Sequence, residues 1–208
     1  MDLFEPLIDR TANLLPHGGE VYYYGPILRA DDADRYFDSL MTGIDWRRDT
    51  AIMFGRKITT KRKVAWYGDE PFQYAYSGVS RTALPWMPAL AELKSLIETE
   101  SGETYNSCLL NLYHDGSEGM DWHSDDEKDL EPNGAIASLS LGAERKFAMK
   151  PADGGESWSM MLAHGSLLIM AGATQDNWRH RLPTTKRVFE PRINLTFRTI
   201  VEGYRLTK

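Results

Sequence analysis

The chain has 208 residues, of which 42% are hydrophobic and 26% are charged, and its formal net charge is −6. These proportions describe one soluble globular domain, and the negative charge argues against an indiscriminate polyanion binder. The single cysteine, Cys108, excludes an intramolecular disulfide and fits a reducing compartment.

The N-terminal segment MDLFEPLIDR opens with an acid, and no apolar run in the chain reaches membrane-spanning length. We therefore expect no signal peptide, no transmembrane helix and no membrane partner. The expected protein is a monomer inside the cell, cytoplasmic if its source is bacterial and nuclear if it is eukaryotic.

Two helices are predicted in the first half of the chain. In DDADRYFDSLM, acids precede apolar residues at helical spacing, which predicts a helix that begins near Asp31. In PWMPALAELKSLIETESG, a leucine-rich stripe predicts a second helix that ends toward Gly102.

From Thr104 onward the chain changes to short segments of alternating polarity, separated by turn residues. These segments are YNSCLLNLY, IASLSLG, RKFAMK, GSLLIM and RINLTFRTI. Many short strands in sequence favour a sandwich, barrel or jelly roll. No linker-like composition separates the two parts, so we predict one domain over residues 1–208, with an N-terminal extension at about 1–103 and a β-rich core at about 104–208.

The segment DWHSDDE suggests a metal site. In an extended chain His123 and Asp125 point to the same side, and together they supply two of the three ligands of a facial triad, a geometry that favours non-haem Fe(II). The pattern His-x-Asp is weak by itself, so a third ligand is required.

Four other histidines could complete the site. His17 precedes two glycines and His114 lies in the turn-like YHDGSEG, so both are expected in exposed loops. His164 precedes a predicted buried strand, and His180 lies shortly before PRINLTFRTI. The residue pattern alone leaves either of these two as the third ligand.

The last predicted strand has a polar face formed by Arg192, Asn194, Thr196 and Arg198. Alternation of this kind usually marks a solvent-facing strand. YNSCLLNLY repeats it with Asn111 and Tyr113 on one face, which indicates a barrel interior lined by polar groups. Two arginines on an inner surface require an anionic ligand, because a buried unpaired guanidinium is costly, and their planar forks suit the two ends of a small dicarboxylate.

These motifs, in this order, resemble those of the AlkB family of Fe(II)- and 2-oxoglutarate-dependent nucleic-acid dealkylases, in particular the members that repair duplex DNA. The resemblance runs from about Phe54 to Ile200 and is carried by NLYHDGSEGMDWHSDDE, IASLSLGAERKF, HGSLLIMAGATQDNWRHRLP and PRINLTFR. It implies a mainly β, α+β fold: a double-stranded β-helix, which is a jelly-roll variant, preceded by an N-terminal α/β nucleotide-recognition extension.

The resemblance also implies roles for individual residues. His123, Asp125 and His180 would hold Fe(II), which leaves His164 in the turn before its strand. Six residues would surround the cosubstrate 2-oxoglutarate: Asn111, Tyr113, Arg192, Asn194, Thr196 and Arg198. Arg192 would pair with the distal carboxylate, and Arg198 would lie nearer the end that chelates iron.

The implied reaction is oxidative demethylation of bases such as 1-methyladenine and 3-methylcytosine. O2 and 2-oxoglutarate would be consumed as cosubstrates, with release of succinate, carbon dioxide and formaldehyde. The expected partner is alkylated DNA, double- or single-stranded, with RNA as a further substrate. The protein would fix the geometry of the metal, the cosubstrate and the base.

A base inside a duplex must be unstacked before it can react. In GDEPFQYAYSG, the resemblance implies that Tyr76 stacks on one face of the flipped base while the ring of His123 covers the other. Tyr74, Asp126 and Glu127 would contact its polar edges, where carboxylates suit the positive charge of these bases. Core packing is the alternative role for the two tyrosines.

Three other functions fit parts of the pattern. One is demethylation of RNA or tRNA by a member of the same family. Another is hydroxylation of a protein or lipid, which would need no basic nucleic-acid surface. The third is a non-enzymatic, cupin-like binding module, which would not need two inner arginines beside a metal triad.

The segment MFGRKITTKRKVAWYGD is strongly basic, which predicts a loop or hairpin laid along phosphates. An ordinary solvated loop is the alternative. Arg62, within this basic stretch, is expected to contact the substrate. The resemblance implies that Phe54, followed by Gly55, fills the gap left by a flipped base. Lys61 stands where the family has proline, a departure that affects the shape of the hairpin.

Phe54→Ala should therefore lose much more repair of 1-methyladenine in double-stranded than in single-stranded DNA, because a single strand has no gap to fill. Paired repair assays on the two DNA forms, with circular dichroism to verify folding, measure the difference. Equal losses on both forms would reduce Phe54 to a packing residue.

Overall fold

The structure is a computed structural model that describes residues 8–53, 56–76 and 79–201, with the side chains of 49–58 and 74–81 outside that description. In chain order the elements are β1 (Glu20–Pro26), α1 (Ala30–Gly43), β2 (Arg47–Met53), β3 (Arg56–Gly68), β4 (Gln73–Tyr76), β5 (Val79–Thr82), α2 (Pro88–Ser101), β6 (Ser107–Tyr113), β7 (Met120–His123), β8 (Ile136–Gly142), β9 (Arg145–Pro151), β10 (Trp158–Leu162), β11 (Ser166–Ala171), α3 (Thr174–Asn177), β12 (Trp178–Leu182) and β13 (Arg192–Arg198). Within these ranges, none of the helices has the length and apolar character needed to cross a bilayer.

Both predicted helices are present and pack through the predicted apolar faces. In α1, Tyr36 and Leu40 are buried, and in α2 the buried residues include Leu90 and Leu93. The second helix ends where Gly102 adopts a left-handed conformation, with φ of 74°, which glycine tolerates because it has no Cβ.

The strands form two main antiparallel sheets. The larger has the order β1-β11-β8-β13-β6-β3-β2, the smaller has the order β10-β9-β12-β7, and β4 pairs separately with β5. This arrangement confirms the predicted mainly β, jelly-roll fold.

The larger sheet has an apolar face and a polar face. Ile193, Leu195 and Phe197 of β13 are fully buried in a cluster with residues of α1 and α2, so this face of the sheet is covered by the helices. The polar residues of β13 point the other way, yet Arg192 is only 2% exposed. The polar face of β13 is therefore internal, and the solvent-facing explanation of its alternation is wrong.

Strands from the first hundred residues belong to the same sheet as the later ones. β1 pairs with β11 over most of its length, and the last six residues of β3, from Lys63 to Gly68, pair with β6. The larger sheet is thus continuous across the predicted limit near residue 103, because its hydrogen bonds join segments far apart in the chain. The basic segment forms β3, which pairs in antiparallel orientation with the preceding strand β2. Phe54 and Gly55, which follow β2 in the chain, lie outside the described residues.

Candidate active site

Three potential metal ligands converge between the two sheets. His123 ends β7 and pairs in register with His180 of β12, and their ring centroids lie 4.2 Å apart. Asp125 follows two residues after His123. One ligand atom from each of the three lies within 4.8 Å of the others.

The protonation of these groups suits a divalent metal. His123 Nδ1 lies 2.7 Å from the backbone oxygen of Asp121; because a carbonyl can only accept, Nδ1 carries the proton and Nε2 keeps its lone pair. Burial lowers the pKa of His180 to about 4, against the opposing charge of Asp125, so this ring is neutral near neutral pH. Burial would raise the pKa of Asp125, but the charge of Arg198, together with the two imidazoles, holds it below the usual value.

The other described histidines lie elsewhere. His164 Nδ1 accepts a hydrogen bond from the backbone nitrogen of Gly142 at 2.8 Å, and its Nε2 lies 3.2 Å from Asp34. It lies in the turn before β11, as the family resemblance implies. His114 pairs with Glu118 at 3.0 Å, and His17 is exposed.

A cavity of about 560 Å³ extends from the three ligands into the space between the sheets. All six residues expected around the dicarboxylate line it: Asn111, Tyr113, Arg192, Asn194, Thr196 and Arg198. Strand register explains their convergence, because Arg192 lies opposite Tyr113 and Asn194 lies opposite Asn111.

Arg192 lines this cavity with part of its guanidinium group unsatisfied. Its Nη2 donates to Ser140 Oγ at 2.8 Å, whereas its Nε is buried without a hydrogen-bond partner among the described residues. Burial, partly offset by Tyr113, lowers the pKa of Arg192 to about 10, so the guanidinium stays positively charged near neutral pH. A carboxylate is the ligand that satisfies such a group.

Arg198 is already paired. Its Nη1 donates to both carboxylate oxygens of Glu127, at 3.0 and 3.1 Å. The structure thus brings Glu127 to an arginine of the cosubstrate pocket, in addition to its expected place near a base edge. Asp126 is exposed and lines the mouth of the cavity, where it is accessible to a positively charged base.

Arg62, which was expected on a basic surface, is buried. Its side chain is 7% exposed, lines the cavity and lies 2.9 Å from Met120 Sδ. β3 is an internal strand of the larger sheet, so alternate residues along it face inward; Lys61 is exposed instead. Tyr74 and Tyr76 lie on β4, and their side chains are outside the described part of the chain.

Sequence reasoning missed a second basic surface. It consists of the outward cations of the smaller sheet, namely Lys146, Lys150, Arg179 and Arg181. Trp122 lies beside them, with its ring centre 4.7 Å from Lys150 Nζ and 4.5 Å from Arg181 Cζ. The cations in RKFAMK and WRHRL could have indicated this surface, but only the pairing of β9 with β12 shows that Lys150 and Arg179 share one face.

The sequence of the chain is similar to those of known proteins. The family model described as the 2OG-Fe(II) oxygenase superfamily matches residues 20–198. Human alpha-ketoglutarate-dependent dioxygenase alkB homolog 3 is 41% identical over 209 aligned residues, which cover 93% of this chain and 72% of that protein. The chain belongs to the AlkB family of this superfamily.

Other relatives support membership of the same family. Human DNA oxidative demethylase ALKBH2 is 38% identical over 181 residues, 82% of this chain and 69% of that protein. Bovine alkB homolog 3 is 44% identical over 179 residues, or 81% of this chain, and the chain spans 62% of its length. The solved structure of OsALKBH1 matches with a TM-score of 0.62 at 17% identity, over 89% of this chain and 98% of the other, which supports the fold.

The donor set of this AlkB-family protein fits the groups that its superfamily uses. Two imidazoles and one carboxylate match a non-haem Fe(II) centre, and the buried Nδ1 of His180 has no hydrogen-bond partner among the described residues. Arg192 and its polar neighbours fit 2-oxoglutarate in the same way. The pocket therefore contains one group of residues that could bind a metal and another that could bind a carboxylate.

Replacing His123, Asp125 or His180 with Ala should abolish tight Fe(II) binding and 2-oxoglutarate turnover, because each change removes one of the three ligands. His164→Ala should retain much of both, since its contacts lie outside the cluster. Metal content after dialysis and succinate release provide the two measurements. Iron loss in His164→Ala, with His180→Ala unaffected, would overturn this assignment.

Arg192→Ala should weaken 2-oxoglutarate binding by about tenfold or more, because a desolvated carboxylate loses a charge-assisted partner. Calorimetric titration of 2-oxoglutarate into the Mn²⁺-loaded protein measures the effect. Arg35→Ala is a control, since that exposed arginine pairs with Asp32 on α1. Unchanged affinity in the Arg192 variant would remove this residue from the pocket.

Proposed function

We propose that this protein repairs DNA by oxidative demethylation of N-alkylated bases, of the 1-methyladenine and 3-methylcytosine type. The observation that carries the proposal is the joint placement, in one cavity, of the metal triad, the buried Arg192 and the acidic mouth at Asp126. Relatives named alkB homolog 3 and DNA oxidative demethylase ALKBH2 support the same chemistry.

In the proposed reaction, one group of residues would bind the metal and another would bind the cosubstrate. His123, Asp125 and His180 would hold Fe(II), which with O2 and 2-oxoglutarate supplies the oxidation that releases the methyl group as formaldehyde, leaving succinate and carbon dioxide. Arg192 would orient the cosubstrate by its far carboxylate, so that its other end faces the metal ligands. In this scheme the side chains position the reactants, and none of them acts as a nucleophile.

Base selection would depend on the acids at the cavity mouth. N-methylation of adenine at N1 or cytosine at N3 leaves the base positively charged, and an exposed carboxylate at Asp126 attracts that charge. His123, half-buried at the cavity wall, offers one face of its ring for stacking. We assign the opposite face to Tyr76 and a polar edge to Tyr74.

A nucleic-acid substrate is favoured over protein or lipid by the basic face of the smaller sheet. Its four cations have no acidic partner among the described residues, although the protein as a whole is acidic. β7 and β12 carry Trp122 and Arg181 toward this face, and both strands carry metal ligands on the other side. The surface thus begins at the cavity, where it can hold the phosphates that flank a flipped base.

DNA in both double- and single-stranded form is the proposed substrate. The proposal places the protein where that DNA is, in the cytoplasm of a bacterium or the nucleus of a eukaryote. It is expected to act as a monomer.

A panel of oligonucleotides tests this function. Strands of one sequence carrying 1-methyladenine or 3-methylcytosine should be repaired as single- and double-stranded DNA, with one formaldehyde and one succinate formed for each methyl group removed. His180→Ala, which lacks a proposed ligand, is the inactive control. Preference for the RNA version would make the protein an RNA demethylase, and failure on all strands despite succinate release would favour a protein or lipid substrate.

A further inference from the structure

The short helix α3 is held firmly against the N-terminal part of the fold. Thr174 is 1% exposed, and its hydroxyl accepts a hydrogen bond from the backbone nitrogen of Glu20 at 2.8 Å. Asn177 Nδ2 donates to the backbone oxygen of Gly18 at 2.9 Å. A Cβ on Gly19 would lie 2.9 Å from the Thr174 Cα, so the close approach of this segment requires glycine. The helix is therefore a rigid platform beside the metal site.

One side chain reaches from this platform to the segment that carries a metal ligand. Residues 124–127 have no regular secondary structure, and Asp125 is among them. Gln175 Oε1 of α3 accepts a hydrogen bond from the backbone nitrogen of Asp125 at 2.9 Å. The pair of Glu127 with Arg198 anchors the same segment at its other end. The loop position of Asp125 thus depends on contacts with distant elements.

The amide of Gln175 fits in one orientation. Its oxygen faces the Asp125 N–H, so its nitrogen faces Met170, with Nε2 3.6 Å from Sδ. Met170 is 3% exposed and lines the cavity. Reversing the amide would bring two N–H donors together, which leaves both unsatisfied.

We propose that Gln175 is a positioning residue for the metal site, which holds the backbone of Asp125 so that its carboxylate faces His123 and His180. Gln175 does not touch the metal. Without its acceptor, the Asp125 N–H loses its partner and the irregular segment gains conformations that turn the carboxylate away. Changes to such supporting residues lower metal affinity by about 10- to 100-fold in other metal sites. This inference rests on the iron site of the proposed function, and it does not depend on the DNA substrate.

Two substitutions distinguish the role of Gln175 as a hydrogen-bond acceptor from its role in packing. Gln175→Met keeps the length of the side chain but removes the acceptor, whereas Gln175→Glu keeps an acceptor oxygen for the Asp125 N–H. Calorimetric titration of Mn²⁺ into the metal-free protein should show affinity about tenfold or more lower in Gln175→Met and close to the parent value in Gln175→Glu.

A matched control lies on the same helix. Asn177→Ala removes the hydrogen bond to Gly18 but keeps the buried Thr174 and its bonds to the backbone of Glu20, which still hold α3, so Mn²⁺ affinity should not change even if thermal unfolding shifts by a few degrees. His123→Ala gives the reference for loss of a direct ligand. Thermal unfolding of each metal-free variant verifies that it is folded.

Three results would overturn the proposal: parental Mn²⁺ affinity in Gln175→Met, equal losses in Gln175→Met and Gln175→Glu, or an equal loss in Asn177→Ala. The last would mean that stability of α3, rather than the acceptor, governs the site. If the demethylation assays fail while the Mn²⁺ results hold, the substrate assignment is wrong and the role of Gln175 stands.

Discussion

The pairing of β7 with β12 is the contact on which the candidate site depends. It places His123 directly opposite His180, and the chain that leaves β7 returns Asp125 to the same point. Neither strand is long, and β9 supports the pair by continuing the sheet beyond β12. The metal site is thus a product of sheet closure, and a shift of register by one residue would turn one imidazole to the outer face.

The buried arginines between the two sheets determine which ligands the cavity can bind. Enclosing the polar face of β13 between two sheets removes Arg192 and Arg198 from water, which is unfavourable unless anions accompany them. Arg198 finds Glu127 within the protein, whereas the nearest polar partner of Arg192 is the neutral hydroxyl of Ser140. This asymmetry explains why the two arginines play different parts. Arg198 is paired with the acidic loop of the protein itself, whereas we propose that Arg192 pairs with a carboxylate of the cosubstrate.

The smaller sheet serves two surfaces at once. Alternate residues of β12 point inward, as His180 does, and outward, as Arg179 does. Because successive side chains of a strand point to opposite faces, β12 carries a candidate metal ligand on its inner face and basic residues on its outer face, with no loop between them. An acidic protein can approach a polyanion by this one face, because salt screens charges that lie farther away than the screening length, so the charge of the contacting face outweighs the net charge of the protein. Within the basic segment, Arg62 lines the cavity and Lys61 is exposed, so the cations of this strand do not all share one surface.

The sequence by itself determined the two helices and the β-rich half, while its resemblance to a known family selected the jelly roll among the β architectures and suggested the residues of the metal and cosubstrate sites. Local periodicity and ordered motifs carry that information, because side chains two apart on a strand share a face whatever the strand pairs with. From the residue pattern alone, the third ligand stayed open between His164 and His180, and only the family resemblance favoured His180. Tertiary structure places His180 beside His123 by pairing β12 with β7. The same long-range pairing buried Arg62, gathered Lys150 and Arg179 on one face, and brought Gln175 to Asp125 from fifty positions away. Such contacts have no local signature, since they arise only when distant strands pair and close around a common interior.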